Sequence, residues 1–223
     1  MYRRSFPWST TSDNRHKHLD ENEQYHKAVE VLRSGGVVAV PTDTVYGLVA
    51  VAADRAAVER VYETKTRDPA QPMPLFVASI AQAELITEMT PAARRLAERF
   101  WPGALTIVLK TKPAYVTRAA AGGDTVGLRV PAEPFLREAA RQLGPLTGTS
   151  ANIAGREECR TAAEVRAQFG DAVDLIVDAT VAATGQPSTV VDCTDPARVR
   201  VVREGAIGRA LLADALAGAA TLI

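Results

Sequence analysis

Short apolar runs alternate with longer segments of helical period from Tyr25 onward. Runs of this length suit buried strands, and a period near 3.6 suits helices that pack one face on a sheet. The pattern therefore predicts a mixed α/β domain. The predicted strands are rich in Val, Leu and Ile: Val37 to Val40, Leu75 to Val77, Leu105 to Leu109, Val126 to Val130, Pro145 to Thr149, Leu175 to Val177, Thr189 to Asp192 and Val199 to Arg203. Their number predicts one large sheet.

The predicted helices lie between these strands, and several begin with a residue that favours helix initiation. Asp54 can cap the helix that follows it, and Thr90 precedes Pro91 at a favoured first position. Thr161 followed by Glu164 is typical of a capping box. The predicted helices are Glu23 to Ser34, Asp54 to Lys65, Ala81 to Glu88, Pro91 to Phe100, Pro134 to Leu143, Thr161 to Phe169 and Gly208 to Leu216.

Residues 1–23 differ from the rest, because they mix charged and small polar residues without an apolar stretch. They predict a flexible N-terminal tail and no secretory signal. His16-Lys17-His18 in this tail is interpreted as a solvated charged segment, with a weak metal or phosphate contact as the alternative. Residues 24–223 contain no repeat, low-complexity tract or linker, so a single domain is expected there.

Composition narrows the classes of function. Lys plus Arg and Asp plus Glu number 26 each, so affinity for a polyanion must come from local placement of cations. Cys159 and Cys193 form no metal-binding or redox pair, which fits a reducing cytoplasm. All three histidines occur by His26, and chemistry further along the chain must proceed without imidazole. No apolar run approaches the roughly 20 residues of a membrane-spanning helix, so a cytoplasmic protein that needs no membrane is expected.

Standard nucleotide-binding signatures are missing from the sequence. Gly35-Gly36 does not open a P-loop, and no G-x-G-x-x-G follows a predicted strand. A phosphate would therefore be held by side-chain cations and by backbone N–H groups of some other loop.

The segment Pro41-Thr42-Asp43-Thr44-Val45-Tyr46-Gly47-Leu48 directly follows a predicted strand. Small hydroxyl groups at the carboxyl end of a strand stand where α/β proteins bind ligands. A turn, in which proline sets φ and the Thr and Asp side chains cap the next element, is an equally weighted interpretation.

Lys65-Thr66-Arg67 ends a predicted helix and precedes a proline-rich loop. Two cations one residue apart can converge on one phosphate group from different directions. For an isolated K-x-R the alternative is a solvated helix end, where both cations interact favourably with the macrodipole.

Two further segments are candidates for ligand contacts. Gly148-Thr149-Ser150-Ala151-Asn152-Ile153-Ala154-Gly155 follows a predicted strand and is dense in hydroxyl, amide and backbone donors that can wrap a phosphate or a ribose. Arg129 lies inside an apolar strand. Since a buried cation is costly unless it is paired, either a protein carboxylate or a bound anion must meet Arg129.

Taken in order, these segments resemble the YrdC/TsaC family of threonylcarbamoyl-adenylate synthases, whose pattern includes P-T-[DE]-T-V-Y-G-L, K-x-R, W-P-G-x-x-T, R-x-P and S-A-N-x-[SA]-G. The match runs from about Val37 to Gly205, and no carboxyl-terminal domain of the long form is expected. The resemblance implies a YrdC-like fold, in which a twisted open mixed sheet is flanked by helices around a concave, positively lined cavity.

Motif matching assigns residues to two substrates. The resemblance implies that Arg129 clamps the carboxylate of threonine. The residues that it places beside the same substrate are Thr42, Thr44 and Tyr46. It implies catalytic roles for Lys65 and Arg67, and the ATP-binding residues that it implies are Lys65, Arg67, Thr125, Gly148, Ser150, Asn152, Ser188 and Arg203. Many members carry a threonine-contacting His where this chain has Ala78, so one side of the amino-acid pocket has no assigned residue.

The activity implied by the resemblance joins L-threonine, bicarbonate and ATP into threonylcarbamoyl-AMP and pyrophosphate, for threonylcarbamoyladenosine in tRNA. Mg²⁺ would arrive with ATP, with no metal ligand assigned to a side chain and no organic cofactor. N-carboxy-threonine would attack the α-phosphorus, a step that needs no side-chain nucleophile. The implied partners are the enzymes that transfer the threonylcarbamoyl group to tRNA, and direct contact with tRNA or double-stranded RNA is considered as well.

Two other functions stay open. A YrdC-like module could bind double-stranded RNA or tRNA through phosphate contacts without catalysis, although balanced charge and few aromatic residues count against it. A paralogue could act on a carbamoyl-adenylate outside tRNA modification, as this domain does within hydrogenase-maturation proteins. The absence of acylphosphatase and zinc-finger segments counts against that function.

Overall fold

The structure is a computed structural model that describes residues 21–115, 117–179 and 186–223. The His16-Lys17-His18 segment and residues 1–20 of the predicted tail lie outside the described residues. The helices of the described part are α1 (Glu21–Arg33), α2 (Arg55–Lys65), α3 (Ile80–Ile86), α4 (Pro91–Phe100), α5 (Pro134–Leu143), α6 (Ala162–Phe169) and α7 (Arg209–Leu216). Its strands are β1 (Val38–Val40), β2 (Gly47–Val49), β3 (Leu75–Phe76), β4 (Leu105–Lys110), β5 (Thr125–Arg129), β6 (Leu146–Thr147), β7 (Thr149–Ser150), β8 (Leu175–Ile176), β9 (Thr189–Asp192), β10 (Arg198–Arg203) and β11 (Thr221–Leu222).

Every predicted helix is present, and the ends agree within two residues. The capping residues act as their side chains allow: Asp54 Oδ1 accepts a hydrogen bond from Ala57 N at 3.1 Å. Thr161 Oγ1 likewise accepts from Glu164 N at 3.1 Å. The Glu164 carboxylate in turn accepts from Arg160 N at 2.6 Å, one residue before the cap. Local sequence therefore fixes where these helices begin.

The strands form two mixed sheets, so the prediction of a single large sheet is wrong. The smaller sheet has the order β7-β2-β1-β8, and the larger has the order β11-β10-β9-β4-β5-β3-β6. In the larger sheet β4 is antiparallel to β5 and parallel to β9. Helices contact both sheets, α1 at β1 and α4 at β4. The predicted α/β class with helix-flanked mixed sheets is confirmed.

Gly148 is the reason why one predicted strand becomes two. The predicted strand Pro145 to Thr149 is split there into β6, which pairs with β3 in the larger sheet, and β7, which pairs with β2 in the smaller one. Gly148 N donates to Pro74 O at 2.7 Å, and a Cβ at this position would lie 3.0 Å from the Phe76 ring. The chain crosses between the sheets at a point where a side chain would press on the Phe76 ring.

Two clusters of buried apolar side chains hold the layers together. The larger includes Ile107 of β4 and Leu128 of β5, which face each other across the ladder and are fully buried. The smaller packs Leu32 of α1 and Leu136 of α5 beside β1. Burial of each such side chain stabilises the fold by about 2 kcal/mol. Among the described residues, no helix combines the length and the apolar composition needed to cross a membrane.

Candidate functional site

A cleft of about 340 Å³ is lined by strands of both sheets. This volume lies within the range of about 300–1,000 Å³ that is usual for small-molecule sites. Among the predicted site residues, all but Lys65 and Asn152 line it. Those that do are Thr42, Thr44, Tyr46, Arg67, Thr125, Arg129, Gly148, Ser150, Ser188 and Arg203. Segments that are distant in sequence therefore meet around one space.

Arg129 ends β5 and is 4% exposed within the cleft wall. Its Nη2 lies 2.6 Å from Asp43 Oδ2, and its Nε donates to Gly103 O at 2.9 Å. Burial lowers the pKa of the guanidinium, and the Asp43 carboxylate opposes that shift. Asp43 Oδ1 and Arg129 Nη2 are buried without aligned hydrogen-bond partners in the described residues, so charge attraction holds the pair. Of the two partners predicted for Arg129, the protein carboxylate is present.

The hydroxyl groups of Thr42 and Thr44 extend the contacts of Arg129. Arg129 Nη1 donates to Thr44 Oγ1 at 3.2 Å, and the two threonine hydroxyl oxygens lie 2.9 Å apart. Thr42 Oγ1 donates its one proton to Val45 O at 2.6 Å, so the Thr44 hydroxyl must be the donor between the two threonines. Thr42 Oγ1 also accepts from Thr44 N at 3.1 Å. The segment is therefore both a turn and part of the cleft, as both interpretations require.

Tyr46 is buried and is one of the residues that line the cleft. Its hydroxyl lies 3.1 Å from the carbonyl oxygens of both Val177 and Ala179. Burial raises the pKa of this phenol, which therefore stays protonated and a donor at neutral pH. The hydroxyl of Tyr46 is therefore used within the fold and is not free to bind threonine.

Thr66 separates the two cations of K-x-R. It terminates α2 in the left-handed conformation, with φ of 51°. After this turn Arg67 lines the cleft, and its Nη2 donates to Pro72 O at 2.9 Å. Burial lowers the pKa of the Arg67 guanidinium. Lys65, by contrast, is 2% exposed and does not line the cleft.

Lys65 Nζ lies against the turn that follows β7. It donates to Ser150 O, to Asn152 O at 2.7 Å and to Asn152 Oδ1 at 3.2 Å. Burial lowers the pKa of Lys65 to about 8, with a second contribution from Arg67. The amine is therefore protonated at neutral pH and has three N–H groups to donate.

Ser188, Arg203 and Thr106 form a second wall of the cleft. Arg203 Nη2 donates to Ser188 O at 2.8 Å and lies 3.2 Å from Ser188 Oγ. The hydroxyl oxygens of Ser188 and Thr106 are 2.9 Å apart. Thr125 lines the same cleft from the start of β5. Thr106, Thr125 and Arg203 stand on strands of the larger sheet, and Ser188 directly precedes β9, so hydroxyl groups and a cation share this wall.

Sequence reasoning missed three residues of the site. Asp43 lies in the segment for which ligand binding and a turn are weighted equally, and the sequence does not identify it as the carboxylate that meets Arg129. Thr106 lies within W-P-G-x-x-T, and the alternation of β4 could have placed it opposite buried Leu105 and Ile107. Glu158 also lines the cleft, and no pattern in the sequence singled it out.

The described residues contain no group of three His, Cys, Asp or Glu side chains that could hold a metal ion. His26 lies on α1 and is exposed. The cleft instead offers guanidinium groups from Arg67, Arg129 and Arg203 together with small hydroxyls. Guanidinium groups bind carboxylates and phosphates through paired N–H donors.

The fold and the cleft together define an α/β protein with an arginine-lined cleft whose chemistry suits anions. A family model for Sua5, YciO and YrdC, described as telomere recombination, matches residues 30–205. The chain belongs to this Sua5/YciO/YrdC family.

Relatives with assigned names agree with this membership. A threonylcarbamoyl-AMP synthase of Bacillus subtilis is 39% identical over 187 residues, which are 82% of this chain and 54% of the relative. A putative threonylcarbamoyl-AMP synthase of Mycobacterium tuberculosis is 37% identical over 190 residues, 85% of this chain and 87% of the relative. The chain thus spans about half the length of the first relative and most of the second.

A solved structure shares the fold. Pyrococcus abyssi Sua5, crystallised in complex with L-threonine, superposes with a TM-score of 0.82 at 33% sequence identity. The match covers 93% of this chain and 61% of the Sua5 chain. The predicted YrdC-like fold is confirmed.

Proposed function

We propose that this protein is a threonylcarbamoyl-AMP synthase, which forms threonylcarbamoyl-AMP and pyrophosphate from L-threonine, bicarbonate and ATP. The observation that carries the proposal is one cleft with guanidinium groups from Arg67, Arg129 and Arg203. A site for an amino acid and a nucleotide must accept a carboxylate and several phosphates, and arginine suits both. The names of the relatives, and the L-threonine in the Pyrococcus abyssi Sua5 crystal, support the same reaction.

In this proposal Arg129 receives the carboxylate of threonine. Its Nη1 has a second N–H besides the one given to Thr44, and Thr44 lines the cleft beside it. Thr42 orients the Thr44 hydroxyl, and Tyr46 lines this part of the cleft. Asp43 balances the charge of Arg129 from behind, which keeps the guanidinium ionised while it is buried.

The nucleotide is assigned to the other lining groups. Arg67 and Arg203 bring positive charge to the phosphates, and Ser150 and Ser188 bring hydroxyl groups. The remaining lining residues of this set are Gly148 and Thr125. Mg²⁺ is carried by ATP as part of the proposal, and it supplies additional positive charge to the phosphates when bound. Glu158 is a cleft-lining carboxylate that fits a hydrated cation.

The chemistry proceeds in two bond-forming steps. The threonine amine attacks the carbon of bicarbonate, and loss of water gives N-carboxy-threonine. A carboxylate oxygen of this carbamate then attacks the α-phosphorus of ATP, and the bond from that phosphorus to the leaving pyrophosphate breaks. The nucleophile is already ionised, so the protein acts by holding two anions in line and by stabilising charge on the phosphates, the task given to Arg67.

The proposed product serves threonylcarbamoyladenosine formation in tRNA, and the partners are the enzymes that transfer the group to tRNA. A cytoplasmic location fits this proposal, since both cysteines, Cys159 and Cys193, are free and buried. Direct binding of tRNA or double-stranded RNA belongs to the alternative, a non-catalytic module.

Pyrophosphate release by the purified protein tests the proposal. With ATP, Mg²⁺ and bicarbonate, release is expected only when L-threonine is added, and mass spectrometry should detect threonylcarbamoyl-AMP. Arg129→Ala should raise the KM for threonine by about tenfold or more, because a charge-assisted hydrogen bond is lost. Arg198→Ala, an exposed arginine of β10 outside the cleft lining, is the control and should match wild type.

Three results would overturn the proposal. Salt-sensitive RNA binding without pyrophosphate release would indicate the RNA-binding module. Consumption of a carbamoyl-adenylate without its synthesis would indicate the paralogue. Pyrophosphate release that is independent of threonine would show that threonine is not the substrate.

A further inference from the structure

Lys65 gives all of its hydrogen-bonding capacity to the loop formed by residues 148–155. An ammonium group has three N–H donors, and three oxygens of Ser150 and Asn152 accept from it. The main chain of Lys65 holds the same loop, since Ala154 N donates to Lys65 O at 2.9 Å. Lys65 therefore binds the loop at both ends of the residue, through the side chain and through the carbonyl.

The side chain of Asn152 is used just as fully. Its Oδ1 accepts from Lys65 Nζ and from Ser150 Oγ, the latter at 2.7 Å. Its Nδ2 donates to Ile153 O at 3.2 Å and to Arg156 O at 2.8 Å. Neither Asn152 nor Lys65 lines the cleft, whereas Ser150, fixed between them, does.

In each of the two short motifs, one residue lines the cleft and the other lies outside it. In K-x-R, the backbone of Thr66 is in the left-handed conformation, so Lys65 contacts the loop while Arg67 lines the cleft. In S-x-N, Ser150 faces the cleft while Asn152 lies behind it. Arg67 and Ser150 face the cleft, and the remaining residues of the two motifs, Lys65 and Asn152, are hydrogen-bonded to each other.

We propose that Lys65 and Asn152 form a clamp that positions the 148–155 loop, and that they act on the nucleotide through Ser150 and the loop backbone without touching it. This inference rests on the proposed function, because it concerns the nucleotide end of that site. Lys65 is then a positioning residue, and Arg67 is the cation of the two motifs that meets the phosphates.

Because Lys65 is buried, its hydrogen bonds to the loop are costly to break. An ammonium group that is 2% exposed is costly to bury unless its donors are satisfied. The groups that bear on its charge are Arg67, Glu158 and Cys159, and none of them accepts a hydrogen bond from Nζ in the described structure. Loop oxygens alone meet the donors. Removing the amine would leave the Ser150 and Asn152 carbonyls without this donor, and the turn would lose its fixed geometry.

Amide hydrogen exchange of the ligand-free protein tests the clamp without relying on catalysis. Lys65→Met keeps the length of the side chain and removes the donors. We expect the loop amide of Asn152, whose N donates to Ser150 O at 3.1 Å, to exchange about tenfold faster in this variant, while the β4–β5 amides are unchanged. Arg67→Met is the matched control, a removed cation that faces the cleft, and its loop should exchange within about twofold of wild type.

Nucleotide affinity supplies the second measurement. Lys65→Met and Asn152→Ala remove the same clamp, so the double variant should bind ATP about as weakly as Lys65→Met alone. Lys65→Met combined with Arg67→Met should instead lose affinity by nearly the product of the two separate factors. Asn152→Ala, which keeps the ammonium, tests the loop by exchange if Lys65→Met does not fold.

Normal loop protection in folded Lys65→Met, together with weakened ATP binding, would overturn the proposal and make Lys65 a direct phosphate ligand. Unchanged loop exchange in Asn152→Ala would overturn it as well. Both measurements are independent of threonine-dependent pyrophosphate release, so failure of the clamp and failure of the proposed synthase activity give different results.

Discussion

Arg129 and Asp43 form a buried ion pair, in which Nη2 lies 2.6 Å from Oδ2 and the side chains are 5% and 17% exposed. Asp43→Asn removes the negative charge and leaves the guanidinium unbalanced inside the protein. We expect the free energy of unfolding to fall by about 3 kcal/mol, because one partner of a buried pair is lost. The affinity for L-threonine should change too, since the remaining contacts of Arg129 are no longer fixed by the carboxylate. Urea unfolding and threonine titration measure the two effects.

Asp178→Asn is the control for this experiment. Asp178 pairs with Arg166 at 3.3 Å, and the two side chains are 51% and 53% exposed. An exposed pair contributes about 0–1 kcal/mol, so this variant should unfold like wild type. Equal destabilisation by the two substitutions would contradict a special role for the buried pair.

Arg67→Ala tests the cation that faces the cleft. We expect kcat/KM for ATP to fall by about 30- to 1,000-fold, which corresponds to about 2–4 kcal/mol for one lost preorganised charge. The cause is direct, since Arg67 lines the cleft and is held by Pro72 O at 2.9 Å. Steady-state pyrophosphate release measures the effect, with Arg198→Ala as the control. Wild-type turnover by folded Arg67→Ala would remove this residue from the reaction.

The sequence predicts the elements whose own residues determine them. The strand Thr189 to Asp192 is found with the predicted ends, and the helix of Pro91 to Phe100 has the predicted cap at Thr90. Strands β2 and β11 were not predicted. The first begins at Gly47, and the second has two residues and pairs with Arg198 and Val199 of β10. Such short strands exist because of their neighbours, which a local pattern does not contain.

The candidate site shows the same division. Motifs identified the residues that gather at the cleft, because the segments that carry them end strands or helices. The motifs do not indicate which of their side chains face the cleft. Lys65 and Arg67 are separated by the backbone conformation of Thr66, and a threonine gives no signal of a left-handed turn. The partner of Arg129 was open for a similar reason, since Asp43 meets it only after β1, β2 and β5 are assembled.

Gly205 allows the end of β10 to approach the segment before β9. A Cβ at this position would lie 2.2 Å from Pro187 O and 2.7 Å from Thr189 N, and neither backbone atom can move without moving the strand. Gly205→Ala should therefore lower the free energy of unfolding by about 2 kcal/mol and weaken ATP binding, since Ser188 lies between those two atoms. Gly208→Ala, where a Cβ meets nothing within 4 Å, should change stability by less than about 1 kcal/mol. Equilibrium unfolding compares the two, and similar losses would contradict the steric argument.

Cys193 links stability to alkaline pH. Its thiol is fully buried, and burial, with a further contribution from Asp192, raises its pKa to about 12 from the ordinary 9.0. The unfolded chain therefore loses this proton above about pH 9 while the folded protein keeps it, so stability falls as pH rises through that window. The contribution is fully present below pH 9, and about 1.4 kcal/mol of it should be lost by pH 10.

Cys193→Ala removes this loss. Any cost of the smaller side chain appears equally at pH 7, where the thiol is protonated in both states, so urea unfolding at pH 7 and pH 10 isolates the titration. If wild type and Cys193→Ala lost the same free energy between the two pH values, the thiol would not be the titrating group.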